Sequence, residues 1–270
     1  MCRVYFSRVL SLSTGTKQGN NDDESITDSA LKQASDAITT LLSIQVTFSV
    51  LVVTFGSLYL PIVMQVLLPP QYLATSAPHV LSAWVWYIPF LAINGGLEAF
   101  HSSTATPDDL RKQSWYVAST SYELLSGFTA CRWMLGYSSL YIISAISFYR
   151  LGFGDASLVY ANIVNLSARI LYTIPFTLHF FGKRMNSAPS ILIDVLPDWR
   201  FLVATAVSYV VISLNESKQH VMELSSRHAW LSVPVLLHFL LGVGMGLVCM
   251  LTWWTTAGKW IVTRMKSKVE

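Results

Sequence analysis

Past Ala37 the chain becomes a succession of apolar runs, each close to the length a helix needs to cross a bilayer, and no other feature constrains its fold as strongly. At 1.5 Å per residue, about 30 Å of hydrocarbon takes about 20 helical residues. Six runs meet that measure, at 40–67, 80–100, 133–149, 157–181, 200–214 and 231–254. The fifth is short, and its span is expected to take in Trp199 and Asn215 at the interfaces. Trp84, Trp86, Trp133, Trp230, Trp253, Trp254 and Trp260 stand near run ends, where amphipathic rings favour the headgroup level. The expected fold is an all-α polytopic membrane protein, a six-transmembrane-helix bundle over residues 37–262.

Composition points the same way. Only 12% of the 270 residues are charged, where a soluble chain has about 25%. With 53% hydrophobic residues and a mean hydropathy of +0.47, the apolar side chains exceed what one soluble core of this length buries. The net charge is +3, and the basic residues sit at helix ends and tails without interleaved aromatics, so the chain has no nucleic-acid footprint. Cys2, Cys131 and Cys249 are odd in number and far apart, which reads as lone thiols, with neither a disulfide framework nor a metal site.

Before the first run, residues 1–36 read as a cytosolic loop and linker. Arg3, Arg8 and Lys17 with no acid before Asp22 match a mitochondrial presequence only superficially, and the apolar stretch 4–12 is too short and interrupted for a secretory signal. Residues 13–36 are Ser, Thr, Asn, Gly, Asp and Glu in the main, a composition that offsets little ordering entropy by burial. Residues 263–270 form a cytosolic tail.

Orientation follows from Lys and Arg in the loops, because cytoplasmic loops retain positive residues. With six spans, fourteen basic residues fall on one side and three, Arg150, Lys218 and Arg227, on the other. Both termini are therefore expected in the cytosol. Residues 115–131 complicate the count, being half-apolar with Glu123 and Gly127 among them. A seventh helix there would move the basic C-terminal tail to the far side, so the charge rule favours an interfacial or irregular insert. The Asn215-Glu216-Ser217 sequon falls at the lumenal edge of the fifth span.

A charge at mid-bilayer costs at least ~2.5 to 3.5 kcal/mol on insertion scales, so intramembrane ionisable residues are functional candidates. Arg169 lies near the middle of the fourth run, with Asn162 and Asn165 seven and four residues before it on one helical face. Such a stripe looks into a bundle or a wet cavity, either as a binding surface or as interhelical glue. In the second run Asn94 and Glu98 share a face, and Pro89, Gly95 and Gly96 are expected to weaken the helix around them. Glu98 is a candidate counter-charge for Arg169. Counted along straight helices, however, the two differ in depth by about 15 Å, and snorkelling of Glu98 to water is the competing reading. In the last run Gly242 and Gly246 form a small-x-x-x-small pair suited to close helix approach, and His238, one turn earlier, is either hydrogen-bonded or proton-carrying. No nucleophile elbow, zinc-helix, Walker or dinucleotide motif occurs, so nothing marks an enzyme or a cofactor.

The run AINGGLEAF at 92–100, followed by RLGFGDASLVYANIVNLSARI at 150–170, resembles the Rft family of eukaryotic dolichol-linked oligosaccharide translocation proteins. Ala92, Ile93, Asn94, Gly95, Glu98 and Phe100 match one family segment, and Ala161, Asn162, Asn165, Arg169 and Ile170 match another. VYFSRVLSL at 4–12 looks like the family's central cytosolic loop, and the likeness has a fungal character. Family members resemble the multidrug and oligosaccharidyl-lipid exporter superfamily, two helical bundles facing a central cavity. The resemblance implies that this chain corresponds to the second bundle, as a fragment whose partner is a missing amino-terminal bundle. The family pattern runs almost directly from near Gln113 into Trp133, so 115–131 departs from it as an unspliced intron would.

What the resemblance implies is translocation of Man5GlcNAc2-PP-dolichol across the endoplasmic reticulum membrane for N-glycosylation, with membrane lipids and the dolichol-linked oligosaccharide as partners. Arg169, Asn165, Asn162, Asn94 and Glu98 are then the expected substrate-binding residues, because a guanidinium suits phosphate oxygens. Two other classes stand beside it: a non-transporting accessory or scaffold protein of glycan assembly, and an ion-coupled exporter of the same superfamily.

Overall fold

The computed structural model describes residue 6 and residues 21–104, 126–184, 191–219 and 233–258. Among the described residues every regular element is helical. In chain order they are α1 (Asn21–Leu67), the short α2 (Pro70–Leu73), α3 (Ala77–Thr104), α4 (Ser126–Phe148), α5 (Ser157–Arg184), the short α6 (Ile191–Val195), α7 (Trp199–Gln219) and α8 (Val233–Trp253). A π turn, Tyr149–Phe153, and a 3-10 turn, Gly154–Ala156, join α4 to α5, and a π turn, Trp254–Gly258, extends α8.

Four stretches are long and apolar enough to cross a membrane: Ser29–Leu67, Ala77–Thr104, Leu135–Gly182 and Val233–Gly258. The third holds 48 residues, about twice a bilayer crossing, because it contains both α4 and α5. Gly152 at φ +90° and Gly154 at φ +55° let the backbone depart from the helix between them, a conformation closed to most side chains. α7 takes in both Trp199 and Asn215, as expected, and Asp198 caps it by accepting the Arg200 N–H at 2.8 Å. Its polar end, Asn215 to Gln219, leaves it less apolar than the four stretches above.

Three local expectations change. The first helix begins at Asn21, inside the segment read as a solvated linker. Composition concealed a spacing: Ala30, Leu31, Ala34, Ile38 and Leu42 recur every three or four residues and are buried. Next, α3 runs unbroken through Pro89, Gly95 and Gly96. Proline bends a helix without necessarily ending it, and an Asn94 to Glu98 side-chain bond spans the glycines at 3.0 Å. Last, α4 begins at Ser126, so residues 126–131 of the expected insert are helical, while 115–125 lie outside the described residues. The basic loop residues Arg3, Arg8, Lys17, Arg111 and Lys112 and the tail 263–270 lie outside them as well.

The chain divides into two compact units. One comprises residues 1–42, 90–153 and 160–193, and its centre is aromatic. Phe100 meets Phe6 edge-on at 5.4 Å, Phe180 edge-on at 5.5 Å and Phe181 in a stack at 5.2 Å. Offset and edge-on rings of this kind add dispersion and quadrupole attraction where a bilayer supplies no hydrophobic drive between helices. Phe148 and Phe153 both meet Tyr160, and Tyr137 meets Arg169, so α4 and α5 run antiparallel as a hairpin. Glu98 meets Arg169 and His101 meets Tyr172, so α3 runs in the same direction as α5.

The second unit comprises residues 43–89, 154–159 and 194–270. Ser208 meets Cys249 at 3.3 Å and Asn215 meets His238 at 2.9 Å, which makes α7 and α8 antiparallel. Tyr59 of α1 crosses α8 at Gly242, where an added Cβ would overlap its phenol. The Tyr59 hydroxyl donates to the His238 carbonyl at 2.9 Å. The small-residue pair thus works through one member, Gly242. At Gly246 the nearest atom to an added Cβ is Phe55 Cζ, 4.0 Å away. The Ser76 hydroxyl donates to the Asp155 carboxylate, tying the start of α3 to the 3-10 turn.

Candidate functional site

The polar residues singled out in the second and fourth runs come together inside the first unit. On α3, Asn94 is buried and its amide donates to Glu98 Oε2 at 3.0 Å, the i to i+4 pair that a helix face creates. The other carboxylate oxygen, Oε1, stands 3.7 Å from Arg169 Nη1 on α5. The depth difference counted along straight helices therefore does not keep the pair apart, since two long side chains reach towards each other and Pro175 lies within α5. The ion pair is partly open, with side-chain exposures of 39% for Arg169 and 56% for Glu98.

The Arg169 guanidinium also lies 5.5 Å from the centre of the Tyr137 ring, within cation–π range. A cleft of about 410 Å³ opens here between α4 and α5, lined by Tyr137, Ser138, Tyr141, Ile142, Asn162, Asn165 and Arg169. Asn162, Asn165 and Arg169 thus share the face expected of them, and that face looks onto α4. Asn94 and Glu98 are not part of the lining; Glu98 meets Arg169 from α3, and Asn94 meets Glu98. Two atoms of the cleft residues, Asn165 Oδ1 and Arg169 Nε, are buried without a hydrogen-bond partner among the described residues. A buried polar atom left unpaired costs on the order of 1 to 3 kcal/mol, so an acceptor and a donor in that condition on two residues of one cleft suit a ligand carrying both groups.

Neighbouring hydroxyls do not compete for this role. Ser167 donates to the Ile163 carbonyl and Thr173 to that of Arg169, each at 2.7 Å, so both are spent on the backbone of α5. What sequence reading missed is the opposite wall. Tyr137, Ser138 and Tyr141 recur at helical spacing in the third run, and that polar strip in an otherwise apolar helix was the available signal.

Other singled-out residues belong to the second unit. His238 is fully buried; its Nδ1 meets Asn215 Nδ2 at 2.9 Å, and its ring stands 5.0 Å from that of Tyr59. Asn215 is thus helical and engaged, which is not how a sequon asparagine meets a glycosylating enzyme. Cys249 is buried and free, in contact with Ser208.

Comparison with known proteins places this geometry in a family. The family model described as "Rft-1: Rft protein" matches residues 1–266. The Man(5)GlcNAc(2)-PP-dolichol translocation protein RFT1 of Yarrowia lipolytica is 29% identical over 78% of this chain and 28% of its own length. That of Schizosaccharomyces pombe is 31% identical over 62% of the chain and 29% of its own length. That of Drosophila melanogaster is 25% identical over 92% of the chain and 38% of its own length. The chain thus spans about a third of the length of the curated relatives it matches. No solved structure matches it. By a family match that runs along almost its entire length, the chain belongs to the Rft protein family.

Proposed function

We propose that this chain supplies part of the helical bundle of a protein that translocates Man5GlcNAc2-PP-dolichol across the endoplasmic reticulum membrane. The observation that carries the reading is that Arg169 Nε and Asn165 Oδ1, on two residues lining one polar cleft, have no hydrogen-bond partner among the described residues, in a chain whose relatives are named for that translocation. A pyrophosphate headgroup offers acceptors to a permanently charged, fork-shaped guanidinium. Sugar hydroxyls offer both donors and acceptors to Asn165 and Asn162. Glu98 meets the guanidinium from α3, and Asn94 meets Glu98. The role is transport, not catalysis, and the relatives' greater length implies a further helical bundle facing this one, as in a two-bundle exporter.

Six crossings with both termini in the cytosol fit this reading. Within the first unit α3 and α5 run the same way and α4 the opposite way, the alternation that consecutive crossings produce. A further crossing between α3 and α4 would make those two parallel. Within the second unit α8 opposes both α1 and α7, which is also the alternation of first, fifth and sixth crossings.

The test is a liposome assay with the protein at the full length of its relatives and a defined Man5GlcNAc2-PP-dolichol. Transfer between leaflets that is lost in Arg169→Gln supports the reading. Normal folding with no transfer supports the accessory class, and dependence on a cation gradient supports the ion-coupled exporter.

A further inference from the structure

Asn94, Glu98 and His101 form a row on α3 at i, i+4 and i+7, and His101 lies in the last turn of that helix. Its ring meets Phe176 edge-on at 4.4 Å and Tyr172 edge-on at 6.0 Å, both on α5. Glu98 is therefore flanked by two cations of different kinds. Arg169 is charged at every accessible pH and stands 3.7 Å away. His101, three residues further along the same helix face as Glu98, is charged only when it binds a proton. The His101 Nδ1 atom is buried and has no hydrogen-bond partner among the described residues.

The charge balance of this row changes when the cleft fills. With the cleft empty, Arg169 and Glu98 cancel and His101 is needed for nothing. An anion on Arg169 takes over that neutralising role and leaves Glu98, still held by the Asn94 amide, as a carboxylate available to a second cation. A proton on His101 restores one unit of positive charge beside it. The C-terminal turn of a helix favours an imidazolium through the helix dipole, and His101 lies in that turn of α3. Among the described residues, the charged and titratable groups facing His101 are Glu98 on its own helix and Tyr172 on α5, with Arg169 in contact with Glu98 and Tyr137 of α4 in contact with Arg169.

We propose that Glu98 is a carboxylate shared between Arg169 and His101, so that seating an anionic headgroup on Arg169 is accompanied by uptake of one proton at His101. The inference rests on the reading of Arg169 as a phosphate-binding residue. One N–H bond forms, on an imidazole nitrogen of His101, the proton comes from water, and no other covalent bond changes. His101 is then a positioning residue, acting on the ligand through Glu98 and Arg169.

The experiment is calorimetric binding of a short-chain prenyl-pyrophosphoryl-N-acetylglucosamine to the full-length protein, in buffers of different ionisation heat. Both phosphates of this probe are substituted and keep a constant charge between about pH 5.5 and 8, so proton uptake reports the protein. The expected result is uptake approaching one proton per bound ligand near neutral pH, with affinity rising as pH falls, by at most about tenfold per pH unit. His101→Gln should bind with no uptake and a flat pH profile, and Glu98→Gln should lose the uptake too. Wild-type binding without proton uptake, which needs no variant to measure, overturns the inference and leaves the phosphate reading standing; so does uptake that persists in His101→Gln. Absence of wild-type binding, or binding undiminished in Arg169→Gln, overturns both.

Discussion

Arg169 on α5 holds its guanidinium 5.5 Å from the ring centre of Tyr137 on α4 while its Nη1 stands 3.7 Å from Glu98 Oε1 on α3. One cation thus meets an aromatic face and a carboxylate while its Nε has no partner among the described residues. Tyr137→Phe, which keeps the ring face, should retain the cation–π contact with Arg169. Tyr137→Leu should lose about 0.5 to 1 kcal/mol, the size of a cation–π contact at a partly open site. Thermal unfolding of the purified protein, read with N-glycan occupancy in cells, separates the two.

Substitution of Arg169 distinguishes binding from structure. The pair with Glu98 is partly open, so breaking it should cost no more than about 1 kcal/mol, well below the 3 to 5 kcal/mol of a fully buried pair. Arg169→Lys should keep protein level near normal and still lower N-glycan occupancy, because an ammonium cannot form a bidentate fork. Arg169→Gln should lower occupancy further with only a small drop in level. Normal occupancy in Arg169→Gln defeats the binding role.

Gly242 and Gly244 are two residues apart on α8 and meet opposite surroundings. A Cβ at Gly242 would overlap the Tyr59 phenol, whereas nothing stands within 4 Å of one at Gly244. Gly242→Ala should therefore destabilise the second unit by about 1 to 3 kcal/mol through overpacking. Gly244→Ala should be neutral or slightly stabilising, since alanine is the better helix former. Comparison of melting temperatures in one detergent checks both, and equal effects would count against the described packing of α1 on α8.

Asn215 should carry no glycan. Its amide is held by His238 at 2.9 Å within α7. Endoglycosidase treatment should leave gel mobility unchanged, and Asn215→Gln should migrate like the wild type. The same substitution should cost about 1 kcal/mol, because it withdraws a partner from a buried imidazole. A mobility shift on deglycosylation that disappears in Asn215→Gln would refute the placement.

Topology is open to direct measurement. A tag after Glu270 should be digested by protease added outside sealed microsomes, as expected from the fourteen-to-three division of basic residues. Protection of the tag would overturn the six-crossing reading.

Much was legible in the chain itself, because a bilayer makes strong demands on sequence. Each crossing must satisfy its backbone internally and present apolar side chains over about 20 residues, so the helices α3, α5, α7 and α8 could be read almost to their ends. The i, i+3, i+4 spacing also put Asn162, Asn165 and Arg169 on one face, and Asn94 and Glu98 on another, without any structure. Periodicity within one helix says nothing about which helix it meets. Tertiary structure alone decided that Arg169 reaches Glu98 across the depth difference, that Tyr137 and Tyr141 complete the cleft, and that Asn215 is committed to His238. It also decided that Asn21 opens a helix, since a run of small residues such as Ala30 and Ala34 reveals its burial only against a neighbour. The physical reason is common to all of these: length and apolarity are summed along one segment, whereas pairing, register and close approach depend on side-chain reach between segments that the sequence does not order in space.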